Sequence, residues 1–591
     1  MTKSTLEMGT KVEKVPFNIY PRRDMIRDSY ISLNGEWDKG IIVPFPPQSK
    51  NSNYKKHHVP EEFTYKRNFK IPKEFIRDKI ILHFDAVDQI AEVYIDGKYV
   101  GHHAGGYTPF SFDITSFIVP DETHSLRVRV VDHLSHIYPY GKQRRKRGGM
   151  WYTPISGIWQ SVWIESVWED YIKDVKIKPD LKGIDLKIDS EAAYFDVQIL
   201  YPSNSENQKV VKTVRLSKYM DSIDGFIEKR INIDSPKLWT PEEPNLYDLK
   251  IRAFNALDGK SYDDIVKEGF SGDGSYDSVK CYFGLRTLSI KTVKEKKRIL
   301  LNGKPYFFHG VLDQGYFPEG IYTPNCEKDY YDDVRKMKEL GFNTIRKHIK
   351  VEPTFFYEAC DRIGMIVWQD MVNNGKYSFI RDTALANMGK QKKDDRNRPI
   401  SHKTKRAFIE CMEETINRLY NFTSVCYYTI FNEGWGQFDS DKMYEIVKAL
   451  DDTRILDSTS GWFWQDKSDV DSFHVYYHPV IFEESNRPVV VSEFGGYSLP
   501  IDGHKFNEKS SYGYDKAKEE TDLTYMIEKL YVNEVFPEIK RGLCGSIYTQ
   551  FTDVEDESNG FYTYDRQVLK VNLNVMKEIG RKLRDHYEDL M

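Results

Sequence analysis

The sequence predicts a multidomain protein of β plus α/β class: an N-terminal jelly-roll-like β-sandwich, an immunoglobulin-like β-sandwich and a C-terminal (β/α)8 TIM barrel. The first observation is the length, because 591 residues exceed what one hydrophobic core usually holds. The second is a change of pattern. Short strands with turn residues fill the first half, whereas apolar strands alternate with helical segments in the second. We place the domains at 1–168, 169–290 and 291–591.

The first two domains are predicted from short alternating strands. In the first, the stretch KIILHFDAVDQIAEVYIDGKYVGHHAGGYTPFSFDIT alternates apolar and polar residues, and Asp96-Gly97 predicts a hairpin turn. Strands of this length and spacing favour a closed, two-sheet architecture. The second region is smaller, with strand-like runs such as YFDVQILY and NLYDLKIRAF. Its size and spacing are typical of an immunoglobulin-like sandwich.

The barrel is predicted from eight strand-like runs, mostly separated by segments of helical periodicity. These runs are YFFHGV, FNTIRKH, MIVWQD, VCYYTIFNE, RILDST, SFHVYY, PVVVSEFGGY and GSIYTQFTD. Alternating strands and helices favour a parallel sheet, and eight such units favour a closed barrel. Enzymes with this fold carry their active sites at the C-terminal ends of the strands.

The fourth and seventh strand-like runs each end in a glutamate, Glu433 in TIFNEGWG and Glu493 in VVVSEFGGY. A carboxylate at the end of a buried strand is costly unless something uses it. Strands 4 and 7 lie on opposite sides of a barrel mouth, so the two side chains can face each other. Glycoside hydrolysis needs such a pair, because one carboxyl protonates the leaving oxygen while the other attacks the anomeric carbon or activates water. The spacing leaves open which glutamate does which.

A structural role is the alternative for each glutamate, as a loop cap or the partner of an arginine. A structural role is the better interpretation for a single glutamate that follows a strand. It is less favoured for two glutamates that end two strands on opposite sides of a predicted barrel. We therefore favour catalysis for Glu433 and Glu493.

Four stretches of the chain resemble glycoside hydrolase family 2, which contains β-galactosidases, β-glucuronidases and β-mannosidases. They are LNGEW and RGGMWYTPISGIWQSVWIE in the first domain, and TIFNEGWG and VVVSEFGGY in the barrel. The resemblance covers nearly the whole chain. It implies a retaining exo-β-glycosidase in which Glu433 is the acid/base and Glu493 the nucleophile. It also implies that Asn432 hydrogen-bonds the 2-hydroxyl of the sugar.

Five further residues are candidate substrate contacts at the barrel mouth. His348 resembles a substrate-contacting histidine of the family, and Tyr476 in SFHVYYHP is the candidate to hydrogen-bond the nucleophile. Trp462 follows the fifth run and could form a pocket wall. Asp313 and Asp370 follow the first and third runs and could hold sugar hydroxyls. A capping histidine, a core tryptophan and solvated loop aspartates are the alternatives.

Charged residues near the barrel ends have more than one interpretation. Arg346, on the second run, could orient a glutamate or form an ordinary structural ion pair. The basic loop, residues 142–147 (KQRRKR), precedes the first-domain signature. It suggests a solvated loop that could reach toward the barrel rather than a site for an anionic partner. The insertion at 373–403, after the third run, is expected to shape the aglycone side.

Two departures from the family pattern bear on the sugar. Many relatives have a tryptophan platform after strand 8, where this chain has Thr549. β-Glucuronidases carry an Asn-x-Lys-Gly element there that holds the sugar carboxylate, and NGFYTYDRQVLK lacks it. A neutral sugar is therefore favoured, and a β-galactoside is the leading candidate. A β-glucuronide, with Arg566 supplying a charge, and an α-L-arabinopyranoside are the alternatives.

A non-catalytic carbohydrate-binding protein on the same fold is a further alternative. It is less favoured because Asn432, Glu433 and Glu493 are all intact. A carbohydrate is the expected partner, and a homo-oligomer is an open alternative because many relatives are dimers or tetramers.

The composition excludes several other classes of function. The formal net charge of −5 argues against an extended nucleic-acid or anionic-membrane surface. We expect no transmembrane helix, and the N-terminus lacks a signal-peptide core, which predicts a cytoplasmic protein. The six cysteines have no metal-ligand spacing, so we expect buried free thiols, no metal and no cofactor.

Overall fold

The computed structural model describes residues 8, 11–56, 58–255, 276–385, 394–476 and 478–589. Two β-sandwiches precede a parallel barrel, which is the architecture that the sequence predicts. A three-stranded antiparallel sheet leads from the second sandwich into the barrel. Its strands are Leu288–Val293, Lys296–Leu301 and Lys304–Pro305.

The first sandwich consists of two four-stranded antiparallel sheets. One contains, in spatial order, Phe110–Asp113, Lys79–Phe84, Val162–Val167 and Ile31–Ser32, and the other Glu62–Lys70, Thr123–Val131, Ile90–Ile95 and Lys98–Ala104. Alternate residues of both sheets, among them Leu82, Val93 and Val128, point inward and form one core. Asp96 and Gly97 have φ values of 50° and 80° and make the predicted hairpin turn.

The second sandwich has a five-stranded and a four-stranded sheet. Their strands are Met25–Ile26, Tyr276–Phe283, Tyr247–Phe254, Tyr194–Tyr201 and Lys209–Ser217 in the first, and Asp174–Pro179, Gly183–Asp189, Phe226–Asn232 and Ser222–Ile223 in the second. Met25–Ile26, from near the N-terminus, pairs with Tyr276–Phe283. The N-terminal segment therefore adds a strand to the second sandwich before the chain builds the first.

A buried ion network connects the two sandwiches. Arg27 bonds Glu165 of the first sandwich at 2.7 Å and Asp277 of the second at 2.8 Å. All three side chains are almost completely buried. Because burial makes an unpaired charge costly, each member depends on the others.

The barrel consists of eight parallel strands that end at one mouth. They are β1 Phe308–Asp313, β2 Thr344–Lys347, β3 Ile366–Asp370, β4 Val425–Asn432, β5 Ile455–Ser460, β6 Asp471–Val475, β7 Val489–Gly495 and β8 Leu543–Thr549. Their order in the sheet is 5-4-3-2-1-8-7-6. Ladders between described residues join all neighbours except β5 and β6, so the barrel is nearly closed. Apart from β6, every strand is buried along its whole length, as expected for parallel strands covered on both faces.

Helices surround the barrel where the sequence shows helical periodicity. They are α1 Glu327–Glu339, α2 Thr354–Ile363, α3 His402–Leu419, α4 Ser440–Leu450, α5 Glu520–Leu530, α6 Phe536–Arg541 and α7 Leu573–Asp589. On α1 the buried face includes Tyr330, Val334 and Met337, at the spacing of one helix stripe. Helix α2 ends at Gly364, whose φ of 82° is the left-handed conformation that glycine adopts without strain.

All six cysteines are buried and unpaired, as predicted. Among the described residues, none of the helices has the length and apolar character needed to cross a membrane.

Replacing Arg27 tests the connection between the sandwiches. We expect Arg27→Met to lower the free energy of unfolding by about 3–5 kcal/mol, because it leaves two buried carboxylates without their cation. Urea or thermal unfolding measures this loss. The control is Arg230→Met, which removes partly exposed ion pairs to Asp180 and Asp185 and should cost less than about 1 kcal/mol. Equal losses in the two variants would contradict the prediction.

Candidate active site

The end of β4 positions the first glutamate through a sharp turn. Glu433 itself has a positive φ of 52°, and Gly434 and Gly436 follow with φ values of 70° and 67°. A Cβ at Gly434 would lie 2.4 Å from the ring of Phe463, and one at Gly436 would lie 2.2 Å from the Asn374 carbonyl oxygen. Only glycine fits such close approaches, which explains why the buried strand ends in Glu-Gly-x-Gly.

The two glutamates face each other across the mouth with a histidine between them. One carboxylate oxygen of Glu433, one of Glu493 and a ring nitrogen of His474 all lie within 4.8 Å of one another. His474 Nδ1 is 2.8 Å from Glu433 Oε1 and 3.6 Å from Glu493 Oε2. The two carboxylate side chains are 13% and 8% exposed. The pair is therefore mostly enclosed but open to the cleft.

Arg346 on β2 holds much of the site together. Its Nη1 donates to Glu493 Oε1 at 3.0 Å, its Nε to Asp370 Oδ2 at 3.0 Å and its Nη2 to Asn432 Oδ1 at 2.9 Å. A further bond from Nη2 reaches Ser460 Oγ at 3.1 Å. Both interpretations of Arg346 therefore apply, since it orients a glutamate and also forms a buried ion pair.

Glu493 is held in its charged form. Burial alone would raise its pKa, but the charges of His474 and Arg346 outweigh burial and lower the pKa to about 2. Tyr476 donates its hydroxyl hydrogen to Glu493 Oε2 at 2.6 Å. Tyr476 thus lies where the sequence places it, beside the expected nucleophile. Its hydroxyl is also 3.0 Å from that of Thr549 at the end of β8.

His348 and Asp370 form a buried pair next to Arg346. His348 Nδ1 is 2.6 Å from Asp370 Oδ2, and both side chains are almost completely buried. Burial, only partly offset by Asp370, lowers the pKa of His348. Asp370 therefore contacts two protein groups, Arg346 and His348. Direct contact of its carboxylate with a sugar stays a prediction.

Asp313 also has protein partners. Lys347 Nζ donates to its Oδ2, and the Gly315 N–H donates to its Oδ1 at 2.9 Å. The side chain is buried rather than solvated, and a sugar contact for Asp313 likewise stays a prediction.

Of the two tryptophans after β5, Trp462 is the one whose ring lies beside His474. Its ring is 5.7 Å from that of His474, and its Nε1 donates to the Asp382 carbonyl oxygen at 3.0 Å. Trp464 instead donates to the Ser472 carbonyl oxygen at 2.8 Å. Trp462 is therefore the one placed to form a wall of the cleft.

The first domain supplies an aromatic wall that the sequence analysis did not assign. The ring of Trp151 lies 5.0 Å from that of Tyr377 and 5.2 Å from that of Trp435. Tyr140 packs on the other side of Trp435 at 5.2 Å. The sequence did contain a feature that could have pointed to Trp151, because this residue belongs to the first-domain signature GGMWYTP. Tyr377 lies in the 373–403 insertion, of which 386–393 fall outside the described residues.

Tyr514 is a second residue that the sequence analysis missed. Its ring stacks on Tyr476 at 3.8 Å, with an angle of 7° between the planes. Burial raises its pKa, and the nearby charges of Glu433, Glu557 and Glu493 raise it further. Tyr514 comes from a long loop without periodicity, so no local pattern could have identified it.

The basic loop reaches the barrel mouth. The Tyr140 N–H donates to the Asn373 carbonyl oxygen at 3.1 Å, and Arg147 lies 3.5 Å from Glu555 at the far end of the loop. Lys142 is buried. This confirms the prediction of a loop directed toward the barrel.

Arg566 lies in a different environment. Its guanidinium donates to the carbonyl oxygens of Tyr564 and Tyr316 at 2.6 and 2.7 Å and pairs with Asp333 at 3.3 Å. These bonds hold Arg566 within the protein, so it is a poor source of charge for a sugar.

A metal ion would have to compete with existing contacts. The atoms of Glu433, His474 and Glu493 are close enough to ligate one. However, Arg346 and Tyr476 already bond the two oxygens of Glu493, and the guanidinium would repel a cation. The chemistry that this arrangement supports is proton transfer and nucleophilic attack by carboxyl groups.

Comparison with known proteins identifies the family of the three domains. Residues 32–166 match the sugar binding domain of glycosyl hydrolases family 2, 170–270 match a second domain of that family, and 292–499 match its TIM barrel domain. The three matches follow the order of the two sandwiches and the barrel in the structure. The chain belongs to glycoside hydrolase family 2, as the sequence motifs imply.

The similar proteins have more than one recorded activity. A β-galactosidase of Thermoanaerobacter pseudethanolicus is 26% identical over 59% of this chain and 45% of its own length. A β-glucuronidase of Bacteroides fragilis is 24% identical over 67% of this chain and 54% of its own. The chain therefore spans about half the length of these curated relatives. A β-D-glucuronidase structure from Dictyoglomus thermophilum shares the fold, with a TM-score of 0.73, 20% identity and coverage of 95% and 98% of the two chains.

Arg346→Met tests the electrostatic control of Glu493. We expect the pKa of Glu493 to rise by roughly 1–3 units, because an opposite charge at contact distance lowers a carboxyl pKa by about that amount. If Glu493 is the nucleophile that the family resemblance implies, it must be ionised to attack, and the acid limb of the kcat/KM profile should shift to higher pH. The pH dependence of aryl glycoside hydrolysis measures this shift. Arg335→Met, on the exposed face of α1, is the control, and an unmoved acid limb in Arg346→Met would refute the assignment.

Proposed function

We propose that this protein is a retaining exo-β-glycosidase that hydrolyses a terminal β-linked sugar by double displacement. The observation that carries the proposal is the approach of the Glu433 and Glu493 carboxylates to within 4.8 Å. Carboxyl groups lie about 5–5.5 Å apart in retaining glycosidases and about 6.5–9.5 Å apart in inverting ones, which need room for a water. The short separation supports a covalent intermediate.

The environments of the two glutamates support different roles for them. Glu493 has a lowered pKa and accepts bonds from Arg346 and Tyr476, so it is the nucleophile that attacks the anomeric carbon. Glu433, less buried and next to His474, is the acid that protonates the departing oxygen. In the second step Glu433 takes a proton from water, and the resulting hydroxide releases the sugar from Glu493.

Asn432 is oriented to bind the sugar. Its Oδ1 accepts bonds from Arg346 Nη2 at 2.9 Å and from Ser460 Oγ at 2.7 Å. The amide orientation is thereby fixed, and Nδ2 is the group that can donate to the 2-hydroxyl. This bond strengthens as charge develops in the transition state.

Two sugars compete as the substrate. A β-galactoside is favoured by the missing Asn-x-Lys-Gly element and by relatives that are β-galactosidases. A β-glucuronide is favoured by Lys142, a cation buried at the mouth, and by relatives that are β-glucuronidases. An α-L-arabinopyranoside is a further candidate. The cytoplasmic location, a homo-oligomeric state and the domain boundaries also stay predictions.

Glu433→Gln and Glu493→Gln test the mechanism. Each should lower kcat by about 10³-fold or more while leaving the thermal unfolding temperature nearly unchanged, because each removes a proton donor or a nucleophile without changing shape. Steady-state kinetics on an aryl β-glycoside measures the loss. Glu339→Gln, on the exposed end of α1, is the matched control. Retained turnover in both site variants would remove the basis of the proposal.

A panel of nitrophenyl glycosides identifies the class of substrate. It contains the β-galactoside, β-glucuronide, β-glucoside, β-mannoside and α-L-arabinopyranoside. We expect turnover of at least one member, with the product released first in the same anomeric configuration as the substrate. NMR of the fresh product records that configuration, and release of the opposite anomer would contradict the retaining mechanism.

A further inference from the structure

Lys142 is a buried cation at the barrel mouth that the mechanism above does not use. It begins the basic loop of the first domain and is only 8% exposed. Lysine is rarely buried to this degree without a partner of opposite charge. The neighbours of its ammonium group therefore need to be identified.

The backbone next to Lys142 is fixed between two barrel loops. Gly141 has a φ of 62°, and a Cβ there would lie 2.9 Å from the Ile349 carbonyl oxygen, just after β2. The N–H groups of Tyr140 and Gly141 both donate to the Asn373 carbonyl oxygen after β3, at 3.1 and 3.3 Å. The backbone contacts of Tyr140 and Gly141 thus fix the position of Lys142 at the barrel mouth.

The ammonium of Lys142 has no hydrogen-bond or ion-pair partner within the part of the chain that the structure describes. Its Nζ lies 5.8 Å from the centroid of the Trp151 ring. At that distance a cation–π attraction is weak. Nζ is not one of the fully enclosed polar atoms without a partner, so the ammonium opens to the cleft, where an anionic group of a ligand would be its best acceptor.

The surroundings of Lys142 place its charge inside the cleft. It lowers the pKa of Glu493 and adds to the burial that lowers the pKa of His348. It also acts on Glu557, after β8, whose carboxyl is already bonded by Tyr152 and by Asn559 Nδ2. The ammonium thus lies among the groups that surround the sugar position, and none of the three neutralises it by direct contact.

We infer that Lys142 binds the carboxylate of a terminal β-linked uronic acid, and that it determines specificity for β-uronides. This inference rests on the proposed glycosidase function and chooses between its two sugars. A carboxylate supplies both a hydrogen-bond acceptor and the missing negative charge, whereas the hydroxymethyl group of galactose supplies only an acceptor. A residue of the first domain would then select the sugar whose glycosidic bond the barrel residues cleave.

The test compares charged and neutral substrates in three variants. The substrates are the nitrophenyl β-D-glucuronide, β-D-galacturonide, β-D-galactoside and β-D-glucoside. The variants are Lys142→Met, which keeps the apolar stem, Lys142→Arg, which keeps the charge, and Lys146→Met, an exposed lysine of the same loop.

We expect the wild type to prefer a uronide. Lys142→Met should lower kcat/KM for uronides about 100-fold more than for neutral sugars, as loss of a charge-assisted bond to the carboxylate predicts. Lys142→Arg should retain part of the preference, and Lys146→Met should match the wild type.

Two results would overturn the inference: a wild-type preference for a neutral sugar, or equal losses on charged and neutral substrates in Lys142→Met. If Lys142→Met does not fold, titration calorimetry on the wild type and on Lys142→Arg measures the binding of D-glucuronate and of D-glucose instead. Tighter binding of D-glucuronate than of D-glucose supports the inference, and equal binding overturns it. Failure of the glycosidase proposal looks different, because the wild type would then hydrolyse none of the substrates.

Discussion

The active site depends on one buried cation, the guanidinium of Arg346. It is completely buried, and its donors reach β3, β4, β5 and β7 from its own place on β2. Burying a guanidinium is favourable only if every donor finds an acceptor in good geometry. That requirement fixes the carboxylate of Glu493, the amide of Asn432 and the carboxylate of Asp370 relative to one another.

The two glutamates differ because their environments differ. Glu493 lies against Arg346 and Tyr476, which stabilise its charge, while Glu433 lies on a strained turn with His474 as its polar neighbour. This difference is what the proposed division into nucleophile and acid requires, because paired carboxyls generally divide their tasks through different environments.

The first domain takes part in the cleft. Trp151 packs against Trp435 and Tyr377, and the two residues just before the basic loop, Tyr140 and Gly141, bond the Asn373 carbonyl oxygen. The two glutamates proposed to act in catalysis come from the barrel, whereas Trp151 and the cation of Lys142 come from the sandwich. Changes of specificity can therefore arise in the first domain without disturbing the barrel strands that carry the chemistry.

The sequence by itself determined the three-domain order, the barrel strands and the positions of Glu433, Glu493 and Tyr476. These follow from local information, since apolar runs, helical periodicity and residues at strand ends are encoded within a few positions. Only the tertiary structure decided the contacts of Arg346, the stacking of Tyr514, the ion pair of Asp313 and the placement of Lys142. Each depends on segments far apart in the chain, whose approach is set by packing, and no local pattern records that approach.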